Sequence, residues 1–324
     1  MIRRRTLLGT GLAAGAATFD RAALAQDFPR RSLQFIVPSN AGGPTDVGAR
    51  ILASILEKDI GQSVVVVNKP GAGSQLGVTE IARARPDGYT LGFINMPGTN
   101  TLILDPERKA AFTVDSFTFV MNQVFDPGVI WVKPDSPYKT LADLVAAAKK
   151  DLNKLSACTT GILSDDHLAI LMLEEASGAR FRVVHFDGAA QQFTAILGGH
   201  VDAAFDNVGS VRKRAQSGEV RVLAVMDKQR SKLMPDAPTT TEQGFPTVVS
   251  SSTRGLAGPK GIPPAVVSYL EAALKKAMEN PEHIQKLTDA GLEVRLIAGA
   301  AYKDYFLAQH ATAQKYIEWS KTVQ

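Results

Sequence analysis

Apolar and polar positions alternate between two periods along this chain. Residues 33–37, Leu-Gln-Phe-Ile-Val, read as a strand. Val47, Ile51, Leu52, Ile55 and Leu56 then recur at helical spacing. Residues 64–67 are four consecutive valines, the pattern of a strand buried on both faces. Pro70-Gly71-Ala72-Gly73 breaks that run, a helix follows to about Arg85, and residues 90–94 form a third strand. Such βαβ steps predict a mostly parallel sheet with right-handed crossovers.

The pattern then repeats. Strands are predicted at 129–132, 155–159, 181–186, 202–205 and 220–225, with helices at 141–150, 166–177 and 189–197. Residues 253–257 look like a returning strand. Helices at 264–278, 281–290 and 302–319 close the chain, the first two opened by prolines suited to a first helical turn. The reading is an α/β protein of two doubly wound lobes. The chain crosses near Phe125-Asp126-Pro127 and returns near residues 248–254. Residues 26–126 with 250–290 form one lobe and 127–249 the other. Residues 291–324 supply a strand and helix packing across both. Two lobes joined by two crossings leave a cleft.

Composition changes this picture mainly at the N-terminus. Arg3, Arg4 and Arg5 precede an apolar run rich in Ala and Gly, and Ala23-Leu24-Ala25 offers a small-residue cleavage site. Residues 1–25 therefore read as a secretory signal, placing the mature protein in the periplasm of a Gram-negative bacterium. Arg4-Arg5-Thr6-Leu7-Leu8 also matches a twin-arginine signal, so both export routes stay open. This segment carries a net +3 of the chain's +4. The remainder is nearly neutral, which argues against a nucleic-acid partner. The single cysteine, Cys158, cannot form an intrachain disulfide and reads as a small buried apolar residue.

Candidate chemistry clusters in the loops after strands, where open α/β sheets bind ligands against helix N-termini. The first loop, Ser39 to Asp46, contains Asn40, Gly43 and Thr45; Asp46 reads either as a first-turn helix residue or as a ligand contact. The second contains Gly71, Gly73, Ser74, Gln75 and Gly77. It resembles a loosened dinucleotide fingerprint, but its spacing is G-x-G-x-x-x-G and the next strand ends at Asn95, not an acid. Pro97 and Thr99 follow the third strand. Thr160, Gly161, Ser164 and His167 lie after the strand at 155–159, where Ser164 or Asp165 could cap the helix and His167 stands without a partner pattern. Asp187, Asp206 and Asn207 follow later strands. Arg254 can grip a carboxylate with two parallel hydrogen bonds or form an interlobe salt bridge to Asp187 or Asp206. Arg212-Lys213-Arg214 reads as a solvated helix face. Zincin, nucleophile-elbow and Cys/His metal motifs are absent, so no cofactor and no metal are expected.

These loops, in order, resemble the substrate-binding receptors of tripartite tricarboxylate transporters, the Bug receptor family. The resemblance covers the chain beyond residue 25. It runs through Gly42-Gly43-Pro44-Thr45-Asp46, Asn68-Lys69-Pro70-Gly71-Ala72-Gly73, Pro86-Asp87-Gly88-Tyr89, Gly198-Gly199-His200, Phe205-Asp206-Asn207 and Gly258-Pro259-Lys260-Gly261. It implies a type II periplasmic binding protein, not an enzyme, that closes on a small organic carboxylate. The resemblance assigns Gly43, Thr45, Asp46, Gly73 and Ser74 to one carboxylate, partly through water. It assigns Thr160, Ser164, His167, Asp187 and Asn207 to the other lobe. The implied partners are the ligand and the transmembrane subunits of such a transporter, with the receptor a monomer. A sensor receptor and a periplasmic or nucleotide-dependent enzyme are the alternatives. Two walls depart from the common pattern: His185-Phe186-Asp187-Gly188 replaces Pro-Tyr-Lys-Gly, and Thr253-Arg254-Gly255 replaces Trp-Phe-Gly.

Overall fold

A computed structural model describes residues 28–186 and 188–322. The expected signal segment and Asp187 lie outside the described residues. The chain opens with β1 (Leu33–Val37), α1 (Pro44–Ile60), β2 (Val64–Asn68), α2 (Gln75–Arg83), β3 (Thr90–Met96) and α3 (Gly98–Leu104). Pro44 sits in the first turn of α1, and Gly61 ends that helix in the left-handed region at φ 66°, donating its N–H to Glu57. β1 pairs in parallel with both β2 and β3.

The long strand β4 (Phe117–Val132) follows, then α4 (Leu141–Lys150), β5 (Ser156–Thr159), α5 (Asp165–Ser177), β6 (Arg182–His185), α6 (Ala189–Leu197), β7 (Ala203–Asn207), α7 (Val208–Gln216) and β8 (Arg221–Met226). β5 pairs in parallel with β6 and β7. The chain ends with β9 (Ser251–Pro259), α8 (Pro264–Glu279), α9 (Pro281–Asp289), β10 (Glu293–Ala298) and α10 (Gly299–Ser320).

β4 belongs to both lobes. From Phe117 to Pro127 it pairs antiparallel with β9, and on its other edge with β10. From Gly128 onward it pairs with β7 and β8. The exchange falls at Pro127, which cannot donate to a ladder, while the N–H of Gly128 reaches Ser250, just before β9. The two lobes are therefore β2-β1-β3-β9-β4 with β10, and β6-β5-β7-β4 with β8. α10 packs into both cores. Tyr302 and Phe306 lie against Phe119 in the first lobe, and Ala313 and Tyr316 join the second-lobe core. Burying Phe306 alone contributes about 2 kcal/mol.

Some elements depart from the sequence reading. The expected strand at 129–132 is only the end of β4. Buried Asn122, Gln123 and Asp126 interrupt the apolar run before it and hide the strand's first part. α3 is built from Gly-Thr-Asn-Thr, weak helix formers, and is held by packing on α10, where Asn100 donates to the carbonyl of Phe306. α7 buries only Val208 and Val211. Its basic run is not a purely solvated face: Arg212 donates to the Thr288 carbonyl at 2.9 Å, and Arg214 lies 4.3 Å over the Phe193 ring.

Candidate functional site

Residues after β2, β3 and β5 line one cavity between the lobes, among them Gly73, Gly98 and Ser164. In the first lobe, Asp46 is buried in the first turn of α1. Its carboxylate accepts hydrogen bonds from the Gly42 N–H (2.8 Å), Arg50 Nε (3.0 Å) and Asn68 Nδ2 (2.9 Å). Burial pushes its pKa up, but the bonds from Arg50, Gly42 and Asn68 outweigh that and hold it below the usual carboxylate range. Asp46 thus shapes the loop that carries Gly42 and Gly43. Thr45 is buried beside it, and its hydroxyl oxygen accepts from Asn95 Nδ2 at 3.1 Å. The hydroxyl proton of Thr45 then remains to be donated.

The loop after β2 is conformationally strained. Ala72 and Ser74 both hold positive φ, at 49° and 78°, which costs an L-residue roughly 1–2 kcal/mol each. Ser74 precedes α2 without capping it through its side chain. Gln75 is engaged elsewhere, its Nε2 donating to the Arg108 carbonyl. Pro97 and Thr99 are buried around the start of α3, and Asn40 is exposed at the loop tip.

In the second lobe, Thr160 donates through both its N–H and its hydroxyl to Asp166, a buried acid. Gly161 holds φ 154° and lies in the same turn. Ser164 caps α5 by accepting the His167 N–H, so of the two candidate caps it is Ser164 that acts. His167 is not isolated. Its ring packs edge-on against His185, centroids 4.7 Å apart. Its Nδ1 accepts the N–H of Leu163, a residue held at φ 58°. Burial, and then the neighbouring His185, press the His167 pKa down to about 4. A neutral ring accepting at Nδ1 carries its proton on Nε2, so His167 is a fixed Nε2–H donor at neutral pH.

The lobe junction concentrates charge. Arg254, 7% exposed, is the register partner of Asn95 across β3 and β9. Its Nη1 lies 3.5 Å from Asp126 Oδ2, and both side chains are buried. Among the described residues the salt-bridge partner is thus Asp126 on β4 and not Asp206. In the sequence Asp126 marks only the lobe crossing, and no partner for its charge is legible there. Its other oxygen accepts the Gly209 N–H at 2.9 Å. Asn207 uses its amide to donate to Asp165 (2.7 Å) and to the Asp126 carbonyl (3.3 Å). Asp206 is buried, with one oxygen accepting the Asn207 N–H. Cys158 is buried too, and burial pushes its thiol up to about 12, beyond easy ionisation.

These buried acids make a prediction with a definite sign. Burial lifts Asp206 to about 7, partly opposed by the Asn207 N–H and reinforced by Asp126 and Asp165. An acid with a raised folded pKa contributes stability that is present below its unfolded pKa and lost as pH rises through the folded one. Neutral buried His167 and His283, both pressed to about 4, act in the opposite direction and lose stability as pH falls below 6.5. Asp206→Asn keeps the acceptor for Asn207 and removes one titration. Relative to wild type, it should gain on the order of 2 kcal/mol between pH 5 and pH 8. Urea unfolding at both pH values measures this, and a constant difference would remove Asp206 as a titrating group.

Two α/β lobes joined at β4 and β9, with donor-lined loops facing a shared cleft, define a type II solute-binding protein. The profile described as "Tripartite tricarboxylate transporter family receptor" matches residues 48–319, and the chain belongs to that family. A Cupriavidus necator protein, described as a UPF0065 protein in the gbd 5' region, is 32% identical over 94% of both chains. A TctC solute-binding protein from Polaromonas, solved without ligand, has TM-score 0.79 at 30% identity, covering 90% of this chain and 99% of that one. Two Rhodopseudomonas palustris structures are also similar. MatC, with bound malate, has TM-score 0.74 at 27% identity, covering 90% of this chain and 100% of its own. A second, with adipate, has TM-score 0.75 at 25% identity, covering 91% and 98%.

Proposed function

We propose that this receptor works in the periplasm, captures a small aliphatic dicarboxylate between its lobes and delivers it to the membrane subunits of a tripartite tricarboxylate transporter. The observation that carries this reading is the Thr45 hydroxyl. It is buried, oriented by Asn95, and directly follows the Gly42-Gly43 turn in the chain. Hydroxyl and backbone N–H donors held this way favour a carboxylate without a full counter-charge. Across the cleft, Ser164 and the Nε2–H of His167 supply further neutral donors. The malate and adipate bound by similar proteins set the size range.

On this reading the moving bodies are residues 26–126 with 250–290, and residues 127–249, with 291–324 across both. Closure brings the second set of donors onto the ligand. A panel of C4 to C6 dicarboxylates tests the ligand class. A bound member at 100 times its Kd should add about 2.7 kcal/mol and raise Tm by roughly 5 °C. A flat thermal-shift response across the whole panel would contradict the proposal.

A further inference from the structure

Two arginines near the lobe junction differ in their surroundings. Arg254 is buried against Asp126. Arg108, after α3, instead lines a cavity of about 190 Å3 between the lobes. Gly73, Asp105 and Arg108 contribute from the first lobe, and Ile162, Leu163 and Ser164 from the second. The volume equals roughly six waters, room for a carboxylate and a short methylene stem. Among all the residues lining this cavity Arg108 is the only cation.

Arg108 is held in place by the candidate carboxylate loop itself. Its Nη1 donates to the Ala72 carbonyl at 3.4 Å, and its own carbonyl accepts from Gln75 Nε2 at 3.0 Å. Its Nε lies 3.6 Å from Asp105 Oδ2. A methyl group added at Gly73 would sit 3.4 Å from Nη1, so the guanidinium rests directly on the glycine turn. A guanidinium has five N–H donors, and these contacts leave its Nη2 edge for another acceptor. The Pro38 to Asp46 loop, with Thr45, is not part of this cavity wall. A second carboxylate would meet a separate position here, where the Nη2 edge of Arg108 stands beside the Asp105 carboxylate.

We propose that Arg108 is a specificity-determining residue that pairs with the second carboxylate of the ligand and so selects dianions over monoanions. This rests on the dicarboxylate reading above. Arg108 is nearly half exposed, so the pair is screened and the preference for dianions weakens with added salt.

Calorimetric titration with adipate and hexanoate, acids of equal carbon number, separates the possibilities. Arg108→Gln should weaken adipate about tenfold while hexanoate changes less than about twofold. Arg108→Lys, which keeps the charge and loses the fork, should fall between wild type and Arg108→Gln for adipate. Equal loss for both acids would mean that Arg108 merely braces the loop, and unchanged adipate affinity would give it no role; either result overturns the proposal. If the wild type binds no C4 to C6 dicarboxylate at all, the dicarboxylate reading itself fails and takes this inference with it.

Discussion

Arg254→Met should destabilise the ligand-free protein by about 3 kcal/mol at pH 8 and by much less at pH 5, because it strips a buried carboxylate of the guanidinium beside it. The pH dependence follows from Asp126. Burial lifts its pKa to about 6, and Arg254 opposes that rise. Above pH 6 the wild-type pair is ionised, so removing the guanidinium leaves an uncompensated charge. Below pH 6 Asp126 takes up a proton and the attraction has already gone. The raised acid is at its most favourable below 3.8 and loses that advantage as pH rises through about 6. Chemical denaturation without ligand at pH 5, 6.5 and 8 reads the effect. A ligand-gripping Arg254 gives a different result: unchanged stability at each pH, with loss appearing only in affinity.

That distinction shows where the sequence was legible. β1, α4 and α6 follow directly from period and punctuation, since each has apolar positions at regular spacing between turn residues. The crossing at Asp126-Pro127 was legible because a proline sits where a ladder changes partners. The polar first part of β4 was not. Asn122 and Gln123 look like loop residues, yet both are buried, with Asn122 donating to the Arg295 carbonyl and Gln123 to the Gly48 carbonyl. Long-range partners of this kind leave no local mark.

The same holds at the site. The loops carrying Thr45, Ser74 and Ser164 stand out as candidates because a strand followed by small polar residues is a local signal. The division of labour inside them was not readable, because it depends on contacts across the fold. Asp46 is satisfied by Asn68 from β2, Asn207 by Asp165 from α5, and Arg254 by Asp126 from the crossing strand. Arg108, proposed above, does not stand out in the sequence because Pro-Glu-Arg-Lys reads as an ordinary exposed turn. Only its reach to the Ala72 carbonyl marks it out.

Gly77→Ala should cut ligand affinity more severely than its effect on stability alone would suggest. Gly77 lies in the first turn of α2, where the helix start touches both first-lobe loops. A methyl group there would meet the Lys69 carbonyl and the Cα and Cβ of Pro38, all at 2.7 Å. Two of these atoms are backbone, so no side-chain rotation relieves the clash. The overpacking costs about 1–3 kcal/mol. The segments that must move lead directly into Gly42-Gly43 and Gly71-Ala72-Gly73, so the preorganised geometry is lost with them, about tenfold or more in affinity. Gly258→Ala is the matched control. Its methyl group would press on Ile262 Cδ1 at 2.5 Å and Leu91 Cδ2 at 3.0 Å, side-chain atoms away from these loops. Both variants should lower Tm, whereas only Gly77→Ala should lower the affinity of a bound dicarboxylate. Equal affinities in the two variants would show that the loops do not depend on α2 for their shape.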